Sequence, residues 1–185
     1  MDKQKKTLKR IVIGILIALL LATAVFAAAQ WVISKYKKVT YTSGHKVDID
    51  LVWEAESAEL IPDETVTVTP SVTNTSKTDS AYVFIMLDYS DEAFAPNGTV
   101  DGWTLIDATT HVYGYGTSSA LTAVAKGETV TFSGQFVVQD AFPDLSGDDL
   151  AIAVNAYAIS NLVAHEDPAT GWSDCQNGGD TSLLQ

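Results

Sequence analysis

The sequence predicts an all-β fold, an antiparallel β-sandwich behind a hydrophobic N-terminal segment, and three observations carry that expectation. From Lys46 onward apolar residues recur with a period of two, the spacing that lines one face of a strand. Clusters of turn-forming residues such as IPDE, NTSKTDS, APNGTVDG, AKGE and FPDLSGDD divide the chain into short runs, as in sandwiches built from many short strands. Helical periodicity is nearly absent from the same region.

The strands are expected in the following order. KVDIDLVW sets Val47, Ile49 and Leu51 against Asp48 and Asp50, a half-buried strand. ETVTVTPSVTN alternates Val66, Val68, Pro70 and Val72 with a row of threonines and Ser71. Pro70 cannot donate to a ladder, which predicts an edge position or a bulge. AYVFIMLDY, residues 81–89, is apolar through Leu87 and reads as a strand covered on both faces. WTLI and ATTHVYGYG are weaker strand candidates, broken by glycines. ETVTFSGQFVV turns Val130, Phe132, Phe136 and Val138 inward, and LAIAVNAYAI, residues 150–159, closes the series. The pieces PDETVT, from Pro62, and KGETVT, from Lys126, echo one another. Two copies do not make a solenoid; they mark equivalent turn-to-strand corners.

The N-terminus is different in kind. Residues 11–29, IVIGILIALLLATAVFAAA, form an uncharged apolar run behind Lys3, Lys5, Lys6, Lys9 and Arg10. Such a run can span a hydrocarbon core of about 30 Å as a helix. Its densest part, Ile11 to Leu21, also fits the apolar region of a signal peptide, and the alanines that follow supply the small residues a signal peptidase needs. Cleavage after Ala27 or Ala29 is the reading adopted, with a retained anchor as its alternative, since Lys35, Lys37 and Lys38 flank the far side. The domain organisation that follows is a signal peptide or membrane-anchor helix over 1–29, an N-terminal arm over 30–45, a sandwich over 46–173 and a flexible tail over 174–185.

The 185 residues carry 23 acidic and 11 basic side chains, a net charge of −12, and cleavage would make the body more acidic still. A surface of that sign is repelled by nucleic acid and by anionic lipid, so neither is an expected partner of the domain. The lone cysteine, Cys175, forms no internal disulfide, and an exported domain must then stand on its core. In its polar, Gly-containing surroundings it reads as a stray thiol.

Candidate chemistry is sparse. His45, His111 and His165 are scattered and share no metal-ligand spacing. No nucleophile elbow and no Gly-rich phosphate cradle occurs, and no motif asks for a cofactor or a metal. Asp88, Asp91 and Glu92, and Asp144, Asp148 and Asp149, offer hard oxygen ligands suited to Ca²⁺. They lack the twelve-residue loop of an EF-hand and read first as solvated acidic turns. Asn74 and Asn97 head N-glycosylation tripeptides in expected turns. The expectation is a protein that is not an enzyme.

The order of these segments resembles the TasA/camelysin family. The resemblance rests on the basic-flanked signal, KVDIDLVW leading through IPDETVTVTPSVTNTS to AYVFIML, then GWTLI, KGETVTFSGQFVV, AIAVNAYAISN and DPATGW, over residues 8–173. It implies export with the dedicated SipW-type signal peptidase and a jelly-roll sandwich at the surface of a Gram-positive cell. Such domains are often polymerised into biofilm-matrix fibres. The protease label attached to camelysin does not carry over, because this chain has no zinc-ligand motif.

Assembly also has a physical logic of its own. Cleavage would free Gln30, Trp31, Val32 and Ile33, a β-prone segment followed by a lysine-rich arm. Added to an open sheet edge of a neighbour, it would supply main-chain hydrogen bonds and apolar side chains. The contact is head-to-tail and propagates. The expected function is therefore an exported surface protein, secreted or held in the extracellular matrix, that associates with itself or with related surface proteins and touches membrane through 11–29 before cleavage. The alternative is a membrane-anchored extracellular binding module, and a third, less favoured class is a metal-dependent hydrolase.

Overall fold

The computed structural model describes residues 39–40, 47–53, 60–140, 151–179 and 181–184. Residues 11–29, with the expected helix and the cleavage positions Ala27 and Ala29, and the donor segment Gln30 to Ile33 lie outside the described residues. No helix among the described residues is long and apolar enough to cross a membrane.

The described chain is mostly β. Its strands are β1 (Val39–Thr40), β2 (Ile49–Val52), β3 (Thr65–Val68), β4 (Ser71–Asn74), β5 (Ala81–Asp88), β6 (Phe94–Pro96), β7 (Trp103–Asp107), β8 (Val112–Tyr115), β9 (Thr129–Thr131), β10 (Gly134–Val138) and β11 (Ala153–Ser160). One five-stranded sheet has the order β1-β11-β5-β8-β7, and two three-stranded sheets have the orders β3-β10-β6 and β2-β4-β9. Among the described strands all pairings are antiparallel except β1 with β11.

β5 shows why a continuous apolar run belongs at the centre. Its odd positions Val83, Ile85 and Leu87 enter the main core, while Tyr82 and Phe84 enter a second cluster on the opposite side of the sheet. Both faces are covered, so neither needs polar residues. Its partner β11 pairs over all eight positions, from Ala81↔Ser160 to Asp88↔Ala153. Val154, Ala156 and Ala158 follow Val83 and Ile85 into the main core, and Ile159 follows Phe84 into the second.

Pro70 divides the run into β3, which lies at the edge of its sheet as a proline-ended strand is expected to, and β4, which is central in its own. Across the break the register is unchanged, because Val68↔Gly134 on one side and Ser71↔Thr131 on the other belong to one antiparallel series. Phe132 N–H donates to Pro70 O at 2.9 Å in that same register. The proline thus serves the pairing through the only main-chain hydrogen-bonding group it has. Gly134 breaks the opposite strand beside it, and a Cβ there would stand 2.4 Å from the Phe132 ring.

The two echoed corners are related by a local two-fold. Asp63 N–H donates to Val138 O at 3.0 Å, and Gly127 N–H donates to Asn74 O at 2.7 Å. Val138 N–H returns a bond to Glu64 O at 2.9 Å, as Asn74 N–H does to Glu128 O at 3.0 Å. Each corner needs a residue in the left-handed region, supplied by Asp63 at φ 65° and by Gly127 at φ 78°.

The C-terminal region departs from the sequence expectation. Pro168–Asn177 forms a helix, α1, which runs through the boundary expected between 173 and 174. Asp167 caps its N-terminus, accepting from Thr170 N–H at 2.9 Å, Pro168 opens its first turn, and Gly178 ends it at φ 86°. Trp172 on this helix packs 5.2 Å from the Phe84 ring and 5.3 Å from Tyr157, measured between centroids. Cys175, expected as a stray thiol in a polar tail, is fully buried beside the second cluster's Phe84, Leu121 and Val163. A short 3-10 helix, Thr181–Leu184, follows. Phe94–Pro96, whose Ala95 and Pro96 open the turn-rich stretch APNGTVDG expected from sequence, is the strand β6 on the edge of β10.

Candidate functional site

Among the described residues, the two sides of β11 are paired to different lengths. One side is bonded to β5 along its whole length. On the other side the described partner is β1, paired in parallel at Val39↔Tyr157 and Thr40↔Ala158. No described strand lies against Ala153–Ala156 on that side. A row of main-chain donors and acceptors at a sheet edge is a template for another strand. The edge is held firmly from behind: Val154 and Ala156 are anchored in the core between the sheets.

The histidines are placed apart. His111 opens β8 with φ at 51° and stacks on Tyr89 at 4.0 Å between centroids and 12° between planes. Its Nε2 lies 3.1 Å from Asp91 Oδ1. His165 Nδ1 lies 2.8 Å from Asp174 Oδ2, which also accepts His165 main-chain N–H at 2.8 Å. Each described imidazole is therefore engaged with a carboxylate of its own, and His45 lies outside the described residues. Among the described residues no group of three or more His, Cys, Asp or Glu is placed to hold a metal ion. Of the acidic turns, Asp91 is turned to His111, and Asp144, Asp148 and Asp149 lie outside the described residues.

The acidity of several groups follows from their settings. Burial raises the Tyr89 hydroxyl above the usual phenol range, with the nearby Tyr113 hydroxyl and Asp91 carboxylate adding to it. Among the described residues the same hydroxyl is buried without a hydrogen-bond partner. Burial, with Asp174 adding to it, pushes the Cys175 thiol up to about 12, which holds it in the unreactive protonated form. Asp167 is lowered, first by the Thr170 hydroxyl and then by main-chain N–H groups at the helix start.

The two glycosylation tripeptides separate sharply. Asn74 ends β4 rather than lying in a turn and is fully buried. Its Nδ2 donates to Asp79 O at 3.0 Å and to Val124 O at 2.9 Å, and its Oδ1 accepts from Ser76 N–H at 3.0 Å. An amide so engaged is a structural tie between the β4 corner and the loop before β5, closed to a transferase. Asn97 is exposed in the turn after β6, where its N–H donates to Gln135 O at 2.8 Å.

Sequence reasoning identified the β-prone N-terminal segment but named no acceptor for it. The long apolar run of β11 marked a central strand, and nothing local in it reveals that its described pairing is longer on the β5 side than on the β1 side. Comparison of the chain with protein-family models, with curated proteins and with solved structures returns no match in any of the three.

Proposed function

We propose that this chain is an exported, non-enzymatic cell-surface protein whose jelly-roll-like sandwich is a subunit of a biofilm-matrix or related fibre. In this reading Gln30 to Ile33, freed by signal-peptidase cleavage near Ala27 or Ala29, adds as a strand to the sheet edge of the next subunit. The acceptor is the open side of β11. The observation that carries the reading is the contrast between the two sides of that strand among the described residues: eight paired positions toward β5 and two toward β1. A strand side open to a neighbour invites strand addition unless it is protected, and β11 carries neither proline nor lysine to protect it.

The sandwich itself is supported by the continuous register of the two three-stranded sheets, which joins them into one layer, β2 and β6 flanking the paired runs 65–74 and 129–138. That layer shares the main core with the five-stranded sheet, through Val72, Phe132 and Phe136 on one side and Val83, Ile85 and Val154 on the other. The resemblance to TasA and camelysin agrees with the same picture of a Gram-positive surface domain.

The test compares the mature domain with Val32→Pro by size-exclusion chromatography and electron microscopy. Proline removes a ladder donor from the donor strand, so the variant stays monomeric while its core remains folded. High salt slows assembly of the native protein if Lys35, Lys37 and Lys38 steer the arm toward an acidic neighbour, because screening sets in beyond about 8 Å at physiological ionic strength. Equal fibre formation by both proteins, or by neither, rejects the donor-strand reading. Mass spectrometry of the exported protein settles processing: an intact N-terminus selects the anchored binding module instead.

A further inference from the structure

The outer face of the paired runs 65–74 and 129–138 is unlike the rest of the surface. The odd-numbered positions from Thr65 to Thr73 and from Thr129 to Gln135 point away from the core, and all are Thr, Ser or Gln. On β2, alongside, Val52 is 53% exposed on the same face, opposite Ser71. Asp50, opposite Thr73, is the face's single ionisable outward residue among the described strand positions, in a chain of net charge −12. The hydroxyls are partly turned to one another: Ser71 Oγ and Thr131 Oγ1 are 2.9 Å apart, and Thr73 Oγ1 and Thr129 Oγ1 are 2.8 Å apart. Hydroxyls satisfied in the plane of the sheet lose less on leaving water than hydroxyls bonded to solvent alone.

The other sheet has no comparable bare face, since its outer side is covered by α1 and the second apolar cluster. Two copies of so acidic a chain repel one another, and at the described strand positions of this face only Asp50 contributes to that repulsion. Its size sets the strength. At about 3.3 Å per residue and 4.8 Å between strands, the two paired runs with β2 and β6 alongside cover roughly 430 Å² per copy. A stable isolated pair buries about 800 Å² per partner. A contact of half that size is weak between free subunits and adds up between arrays of linked ones.

We propose that this uncharged threonine face is a lateral association surface for a second copy of this chain, weak between monomers and effective between neighbouring fibres. The proposal rests on the fibre reading for its biological setting. The face itself can be tested without fibres.

Thr67→Glu with Thr131→Glu places two charges on exposed outward positions, and Thr67→Val with Thr131→Val keeps shape and neutrality. In the mature protein, the charged pair is expected to give fibres that remain single under the electron microscope and no longer pellet at low speed, while the valine pair bundles as the native protein does. In the Val32→Pro background, where end-to-end addition is blocked, sedimentation of concentrated protein should reveal a weak self-association that the charged pair weakens tenfold or more. Circular dichroism checks that each variant is folded. Native bundling by a folded charged variant overturns the proposal. So does an absence of self-association in the Val32→Pro protein, whether or not the native chain forms fibres. Loss of fibres through Val32→Pro alone tests the donor strand and leaves the face to be judged by these two results.

Discussion

Trp103 Nε1 donates a hydrogen bond to the main-chain oxygen of Thr131 across 3.0 Å, joining β7 of the five-stranded sheet to β9 of the facing strands. The indole is also packed edge-on against Phe132 at 5.6 Å and Tyr115 at 5.4 Å. The bond falls next to the interruption at Pro70 and Gly134, where the ladder has fewest bonds of its own. Trp103→Phe keeps much of the ring packing and leaves Thr131 O without this donor. The expected loss is about 1–3 kcal/mol, against about 3–5 kcal/mol for Trp103→Ala. Urea unfolding followed by far-ultraviolet circular dichroism measures both, and native stability in Trp103→Phe would show that the hydrogen bond contributes nothing.

The paired corners predict opposite responses to substitution. A Cβ at Gly127 would meet nothing within 4 Å, so the penalty of Gly127→Ala comes only from placing a side chain at φ 78°. That costs about 1 kcal/mol. Asp63 already bears the strain at φ 65°, and Asp63→Gly should relieve it, with a net gain of about 0.5 kcal/mol after the added chain entropy. Thermal denaturation of the two variants reads the difference in sign. Destabilisation by both would mean that the Asp63 side chain does something at its corner that its backbone does not reveal.

Cys175 should behave as a core residue. With its thiol pushed up to about 12 by burial, it is expected to react with thiol reagents at neutral pH only when the protein opens. The labelling rate should rise steeply through the denaturation transition, and no disulfide-linked dimer should accumulate in the native protein. Rapid labelling without denaturant would place α1 among the first parts of the fold to detach.

The cap of α1 gives a pH dependence. The Asp167 carboxyl is lowered below 3.8 in the folded chain, chiefly by the Thr170 hydroxyl, so its contribution is present above 3.8 and is lost as pH falls through the folded value. Asp167→Ala should therefore lower stability at neutral pH, and the gap from the native protein should close on acidification. Asp167→Asn keeps a capping oxygen and should be milder. Trp172 fluorescence follows the helix directly, since the indole rests on Phe84 and Tyr157. A gap that stays constant down to strongly acid pH would reject the ionised cap.

The parts of the fold written in local patterns were legible in the sequence. The unbroken run from Ala81 to Leu87 announced a strand covered on both faces, and the alternation of Val130, Phe132 and Phe136 announced which side turns inward. α1 was missed because the side it buries is made of Pro168, Gly171 and Cys175, too small and too few to write an apolar stripe. Its punctuation was nevertheless present, in Asp167 before Pro168 and in Gly178 after Asn177. The partnership of β5 with β11 had no local signature, since any apolar strand can pair with any other until the whole sheet is laid out. For the same reason, the unequal described pairing on the two sides of β11 emerges only from the assembled sheet.

The two-fold clasp at Asp63 and Gly127 bears on how the chain avoids errors. A shift of the 65–74 run against 129–138 by one residue would turn threonines into the core and valines to water. It would also pull Asp63 from Val138 and Gly127 from Asn74 in the same movement, because the two clasps close opposite ends of one ladder. Neither end can slip while the other holds. A protein built of many short strands is exposed to mispairing throughout its folding, and in this strand pair it has a ruler with a stop at each end.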